Sequence, residues 1–320
     1  MKAFPFARAF PSLIVALSLI AVSQAHAQES KTVRLLTVGN SFSRNATRFL
    51  GDLAKAAGHE LVHESIVVGG ASLELHAGRA LIHQENPEAK EGLYSDDKSL
   101  VQHLKSGDWD VVTIQQASIK SHDYATFQPH GRQLADFIRK HAPNAKLMIH
   151  QTWAYRSDDS RFSGKQNEPG GPANRQQMHE WLTAAYDQLA RDVGAAGVIP
   201  VGDAFALVEN DPKRGFKPDT TFDRKGAVAP KLPNQRHSLH VGWRWVAAKD
   251  GGRELKMDGH HANLAGEFLG ACVWYEVLFG DSCLDNAFLP EGLDADFARV
   301  LRESAHRVVQ ARRQAEPAGR

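Results

Sequence analysis

Short apolar runs alternate along this chain with stripes of apolar residues three and four positions apart, the marks of buried strands and of amphipathic helices. Arg34 to Val38 predicts a first strand, and Asn45 to Ala57 a helix that stops at Gly58. Leu61 to Val68 is a second strand. Helices are expected at Leu73 to Ile82 and Lys98 to Lys105, then a strand from Trp109 to Ile114, a helix from His130 to His141 and a strand from Lys146 to Ile149. Pro172 to Asp192 continues as a long helix that runs through Gly194 and Gly197 into a strand at Val198 to Val201. Repeated strand and helix units of this kind predict an α/β fold, a parallel sheet covered by helices on both faces.

Toward the C-terminus the pattern is helical. Leu264, Phe268, Cys272, Tyr275 and Phe279 share one helix face, and Phe297, Leu301, Ala305 and Val308 share another. Residues 208–257 break the alternation. With Pro212, Pro218, Pro230 and Pro233 and scattered glycines and lysines, they read as an irregular insertion, and loops of that length are usually functional or disordered.

Met1 to Ala27 has the layout of a secretory signal. Lys2 and Arg8 precede the apolar stretch Leu13 to Val22, and Ala25-His26-Ala27 offers a cleavage site. An apolar core of about ten residues is half what a permanent membrane helix needs. The expectation is therefore an exported protein, periplasmic or secreted, with no membrane attachment after cleavage and one domain over residues 28–320. With 38 basic and 37 acidic residues, no overall field attracts nucleic acid. Two cysteines, Cys272 and Cys283, favour buried or loop thiols over a disulfide, although export would permit one.

The chemistry-bearing residues cluster at two distant places. Gly39-Asn40-Ser41-Phe42 follows the first apolar run, and Asp258-Gly259-His260-His261 stands just ahead of the C-terminal helix. A serine hydroxyl becomes a useful nucleophile when an imidazole takes its proton, and a carboxylate steadies the imidazolium that forms. Sites of open α/β sheets lie beyond the carboxyl ends of the strands, which is where Ser41 falls. His237, His240, Asp258, His260 and His261 also supply nitrogen and oxygen ligands of the kind zinc takes. They lack a helical His-Glu-x-x-His arrangement, so neither metal nor cofactor is expected.

These segments resemble the conserved blocks of the SGNH (GDSL-type) hydrolases. Gly39-Asn40-Ser41-Phe42 is similar to their Gly-Asp-Ser-Leu block with Asn in place of Asp, and Asp258-Gly259-His260-His261 is similar to the Asp-x-x-His block. Val67-Val68-Gly69-Gly70-Ala71-Ser72 resembles the second block, and the strand Asp110 to Gln115 the third. The Gly-x-Asn-Asp that usually follows that strand is replaced by Gln115-Gln116-Ala117-Ser118, which resembles a glutamine variant of SGNH carbohydrate esterases.

The resemblance covers roughly residues 33–280 and implies a three-layer α/β/α, flavodoxin-like fold around a central parallel sheet. It implies Ser41 as nucleophile, His261 as base with His260 as competitor, and Asp258 as the base's partner. Oxyanion donors would come from Ser41, Gly70 or its neighbour Gly69, and the Gln115 amide, with Gln116 as alternative. Trp153, just past a strand end, is the favoured platform for a sugar ring, with Trp243 and Trp245 as others. The function implied is removal of acyl, foremost acetyl, groups from a carbohydrate. A lipase or thioesterase is the enzymatic alternative, and a carbohydrate-binding protein without catalysis is the other.

Overall fold

The structure is a computed structural model that describes Met1 and residues 29–163, 170–249 and 251–315. The expected signal segment, beyond Met1, lies outside the described residues. Five parallel strands form the central sheet: β1 (Thr32–Gly39), β2 (Glu60–Val67), β3 (Val111–Ile114), β4 (Lys146–His150) and β5 (Gly197–Ile199), in the order β2-β1-β3-β4-β5. This is the α/β/α arrangement expected from the sequence, with the flavodoxin-like strand order. The order reverses direction beside β1, so the carboxyl ends of β1 and β3 flank a crevice. Val33, Leu35, Leu36 and Val38 are all buried in β1, because a strand flanked on both sides and covered on both faces has no solvent side.

Right-handed crossovers fix which helices cover which face. The β1–β2 connection carries α1 (Ser41–Thr47) and α2 (Leu50–Ala56). The connections from β2 to β5 carry α3 (Leu73–Glu85), α4 (Leu100–Lys105), α5 (His130–His141) and α6 (Arg175–Val193) on the opposite face. After β5 come α7 (Val201–Glu209), α8 (Leu264–Phe279) and α9 (Ala295–Ala315), and α8 packs against α1, α2, α7 and α9. Almost every residue of α8 is buried, as expected for a helix enclosed by others. Cys272, within it, and Cys283, just after it, are both buried free thiols.

Two expectations need correction. The helix read as starting near Asn45 begins at Ser41, with Asn40 as its N-cap, and a break at Arg48 and Phe49 divides it from α2. The stretch 208–257 is not irregular throughout. It opens on the end of α7 and closes on an antiparallel hairpin, β6 (His240–Ala247) and β7 (Arg253–Ala262). Cross-strand pairing, not apolar alternation, defines this hairpin, and it delivers Asp258, His260 and His261 from a strand rather than from a loop. Among the described residues no helix is long and apolar enough to cross a membrane.

The contact between α1 and α8 brings the two ends of the chain together. It depends on Gly270, because a Cβ there would sit 2.9 Å from the Ala46 Cα and 3.1 Å from its Cβ. Gly270→Val should destabilise the protein by about 1–3 kcal/mol through overpacking, read as a lower denaturant midpoint. An unchanged midpoint would show that the helices can separate without loss.

Candidate active site

β1 ends at Gly39, where a side chain would meet Ser43 Oγ at 2.6 Å and Gln115 Oε1 at 2.9 Å. The chain then turns directly into α1. Asn40 is extended (φ −134°), and its Oδ1 accepts the Phe42 N–H at 3.0 Å, satisfying one of the orphan donors of the first helical turn. The same Oδ1 accepts from Gln115 Nε2 at 2.7 Å, while Asn40 Nδ2 donates to Ala71 O at 2.9 Å. One buried amide thus ties together the ends of β1, β2 and β3. An aspartate could not donate to Ala71 O, so the Asn in this block has a structural reason of its own.

Ser41 is the first residue of α1, and its hydroxyl meets His261 Nε2 at 2.8 Å. On the far side of the ring His261 Nδ1 lies 3.0 Å from Asp258 Oδ2, and the His261 backbone N–H donates to Asp258 Oδ1 at 3.1 Å. Residues 220 positions apart therefore form one hydrogen-bonded line. Burial by itself would push the Asp258 carboxyl up. The hydrogen bonds from His261, with the charges of His260 and His261 beside it, outweigh that effect and hold it well below the usual carboxylate range.

His260 packs its ring on His261 with centroids 4.0 Å apart, and its Nδ1 lies 3.1 Å from Asp258 Oδ1 and 3.2 Å from Arg161 Nη2. Burial, reinforced by the adjacent His261, pulls its pKa down to about 4, so it is a neutral ring at physiological pH. No hydrogen bond joins it to Ser41, whose hydroxyl meets His261 instead. Asp258, His260 and His261 bring ligand-type atoms within 4.8 Å of one another. Arg161, paired with Asp159 and lying over the Tyr155 ring, puts a positive charge against that cluster. His240 and His237 go elsewhere: His240 Nε2 donates to Ala154 O at 3.0 Å, and His237 packs on Phe297.

The other expected residues fall in unequal places. Gly70, exposed and at φ +68°, stands in the turn after β2, where Ala71 N–H closes onto Val68 O at 3.1 Å; a positive φ is the conformation glycine adopts without a Cβ penalty. Gln115 is 1 % exposed and does not open onto Ser41. Its Nε2 holds Asn40 and its Oε1 accepts from His150 Nδ1 at 2.8 Å, so it supports the turn from beneath instead of facing a substrate. Gln116 is equally buried: its Oε1 accepts from the Leu73 and Ala117 N–H groups, and its Nε2 donates to Thr126 O.

Trp153 is not a platform. It is fully buried, stacked on Phe205 at 4.5 Å and against Phe42 at 4.4 Å, and its Nε1 donates to His260 O at 2.8 Å. The indole needs an acceptor when buried, and here that acceptor is the backbone that carries the histidines. Sequence reasoning missed Trp153 as a positioning residue, and it missed the capping role of Asn40 because the helix was expected to begin near Asn45 rather than at Ser41.

A parallel sheet of this order, with Ser41 just beyond β1 and Asp258 and His261 on β7, defines an α/β protein in which a serine hydroxyl, an imidazole and a carboxylate stand in one hydrogen-bonded line. The chain belongs to the DUF4886 family, a domain of unknown function, which it matches over residues 34–227. That match ends before β7 and so leaves Asp258 and His261 outside it. A DUF4886 family protein from Bacteroides uniformis ATCC 8492 shares the fold, with a TM-score of 0.64 and 24% identity over 87% of this chain and 95% of that one. A protein assigned to the GDSL-like lipases, from Parabacteroides merdae ATCC 43184, has a TM-score of 0.44 and 13% identity over 80% of this chain and 99% of its own. A protein considered a lipase, from Chitinophaga pinensis DSM 2588, has a TM-score of 0.41 and 12% identity over 78% and 98%. No curated protein matches the chain.

Asn40→Ala tests the amide that joins the three strand ends. Losing a helix cap and leaving the Gln115 Nε2 and Ala71 O unpartnered in the interior should cost roughly 2–4 kcal/mol, measured by denaturant unfolding. A loss below about 0.5 kcal/mol, within the range of ordinary surface changes, would show that the turn holds without it.

Proposed function

We propose that this protein is a serine esterase that removes acyl groups from a carbohydrate, acetyl foremost, and that it works outside the cytoplasm as its N-terminal sequence suggests. The observation that carries the reading is the line from Ser41 Oγ to His261 Nε2, at 2.8 Å, and from His261 Nδ1 to Asp258, at 3.0 Å. These distances are within reach for proton transfer in both directions.

In this mechanism Ser41 Oγ attacks the ester carbonyl carbon while its proton passes to His261 Nε2. Collapse of the tetrahedral intermediate breaks the bond to the alcohol, which leaves with the proton returned by His261. Water then attacks the acyl-serine, again giving its proton to His261, and the carboxylic acid departs as Ser41 recovers its hydrogen. Asp258 stays ionised and holds the imidazole in the tautomer with Nδ1–H toward the carboxylate. The developing oxyanion would be met by the Ser41 and Gly70 N–H groups, donors whose effect appears when charge forms. Gln115 enters this scheme as a support for Asn40, not as a donor. His260, Arg161 and Arg244, each partly exposed around Asp258, give the site a polar rim, which favours an acylated sugar over a long lipid chain.

Ser41→Ala and His261→Ala should each lower kcat on a short acyl ester by a factor on the order of 10⁴ or more, and the double variant should lose little further, as in residues that act as one unit. Chelators should leave the rate intact. With the pKa of His260 at about 4 and that of Asp258 held lower still, neither group takes up a proton above about pH 5, so neither should contribute to a change of kcat/KM with pH in that range. Additive losses from the two substitutions, or activity removed by a chelator and restored by zinc, would overturn the mechanism.

A further inference from the structure

The face of the β6–β7 hairpin turned away from Asp258 holds a second feature that the mechanism does not use. In this register Gly242 lies opposite Asp258 and Trp243 opposite Met257. Successive side chains alternate across a strand, so Trp243 projects on the side away from the triad. There it forms one wall of a cavity of about 150 Å³ that also has Phe216, Arg156, Asp158, Arg224 and Asn234 around it.

The cavity is rigid at its floor and open at its rim. Arg156 is fully buried, lies 4.4 Å over the Phe216 ring, and makes a two-point pair with Asp158 at 2.6 and 2.9 Å. Its Nη1 also donates to Gln235 Oε1 at 2.6 Å. Gln235 grips the Trp243 backbone at both groups, accepting from N–H at 2.7 Å and donating to C=O at 2.9 Å. Gly242 leaves the room this network needs, since a Cβ there would fall 2.0 Å from Arg156 Nη1. At the rim, Asn234 and Arg224 are exposed, and the Arg224 guanidinium stands 5.3 Å from the Trp243 ring centre.

Stability does not account for this arrangement. A buried arginine–carboxylate pair is often no better than well-packed apolar side chains of the same volume, because desolvation offsets the attraction. What the pair does supply is an aromatic wall of fixed orientation next to fixed polar groups. A sugar ring has the matching chemistry, with an apolar C–H face for the indole and hydroxyl groups around its edge for carboxylate, amide and guanidinium. A lipid chain would offer no hydrogen-bonding group to the exposed Arg224 guanidinium and Asn234 amide at the rim.

From these observations we infer that the Phe216–Trp243 cavity is a saccharide-binding site on the far side of the hairpin, separate from Ser41. It takes one neutral sugar ring of a glycan. The assignment deepens the carbohydrate reading of the function, and its test does not require catalysis.

Calorimetric titration of the full-length protein with xylotetraose, cellotetraose and chitotetraose checks the inference. At least one of them should bind, and Trp243→Ala and Arg224→Ala should each weaken that binding, the former by roughly tenfold or more. Trp243→Phe should restore much of it. Arg224 is exposed, so its variant remains informative if the loss of Trp243 perturbs folding, which the far-UV spectrum and melting temperature of each variant reveal. No binding of any of the three in the millimolar range, or binding that both alanine variants leave unchanged, would overturn the site. Hydrolysis of a short aryl ester, followed in parallel, reports on the Ser41 mechanism alone, so a failed esterase and a failed saccharide site give different results.

Discussion

The buried amide of Asn40 is the constraint on which the rest of the site depends. A parallel sheet delivers its strand ends side by side but leaves their last backbone groups without ladder partners, and buried polar groups without partners are costly. Asn40 resolves this by accepting from the first turn of α1 and from Gln115, and by donating to the loop after β2. Ser41 is fixed as a consequence. Its hydroxyl stands at a helix start that cannot shift without breaking bonds to two neighbouring strands.

The partner half of the site is built by different means. β7 has no place in the central sheet, so its end is held by two side chains and one backbone bond: Trp153 Nε1 on His260 O, Asn263 Nδ2 on the carbonyls of Ser238 and His240, and the Arg156 backbone N–H on Gly259 O. Asn263 also caps α8 through the Ala265 and Gly266 N–H groups, and α8 packs on α1. The serine and histidine are thereby coupled through one helix contact. Glu267 reinforces it, because its carboxylate accepts from Asn45 and pairs with Arg48. Preorganisation of the Ser41–His261 pair is thus a property of packing between the two ends of the chain.

The strands of the central sheet were legible because each is an apolar run bounded by turn residues, and the five observed strands overlap the five expected from the pattern. α8 and α9 showed equally clear stripes. The hairpin was hidden, since Trp243, Arg244, Trp245 and Lys256 lie in half-exposed strands whose pairing leaves little apolar alternation. α7 was missed because Val201 to Glu209 directly follows Pro200 and looks like the continuation of a strand. At the site, residue types pointed to Ser41, Asp258 and His261, which the fold brings together. The same reasoning failed for Trp153 and Gln115. An aromatic ring or an amide beyond a strand end has the same sequence signature whether it faces the cleft or supports it from below, and only the packing of Phe42, Phe205 and His150 around them decides.

The central claim is that the Ser41 hydroxyl is activated by His261, and its most direct measurement is covalent labelling. The full-length protein should be treated with a fluorophosphonate probe, digested, and the modified peptide located by mass spectrometry. The account predicts one phosphonyl group per chain, attached to Ser41 with loss of fluoride, and its disappearance in folded His261→Ala protein. Labelling at another serine, or labelling of Ser41 that persists at the same rate without His261, would contradict it.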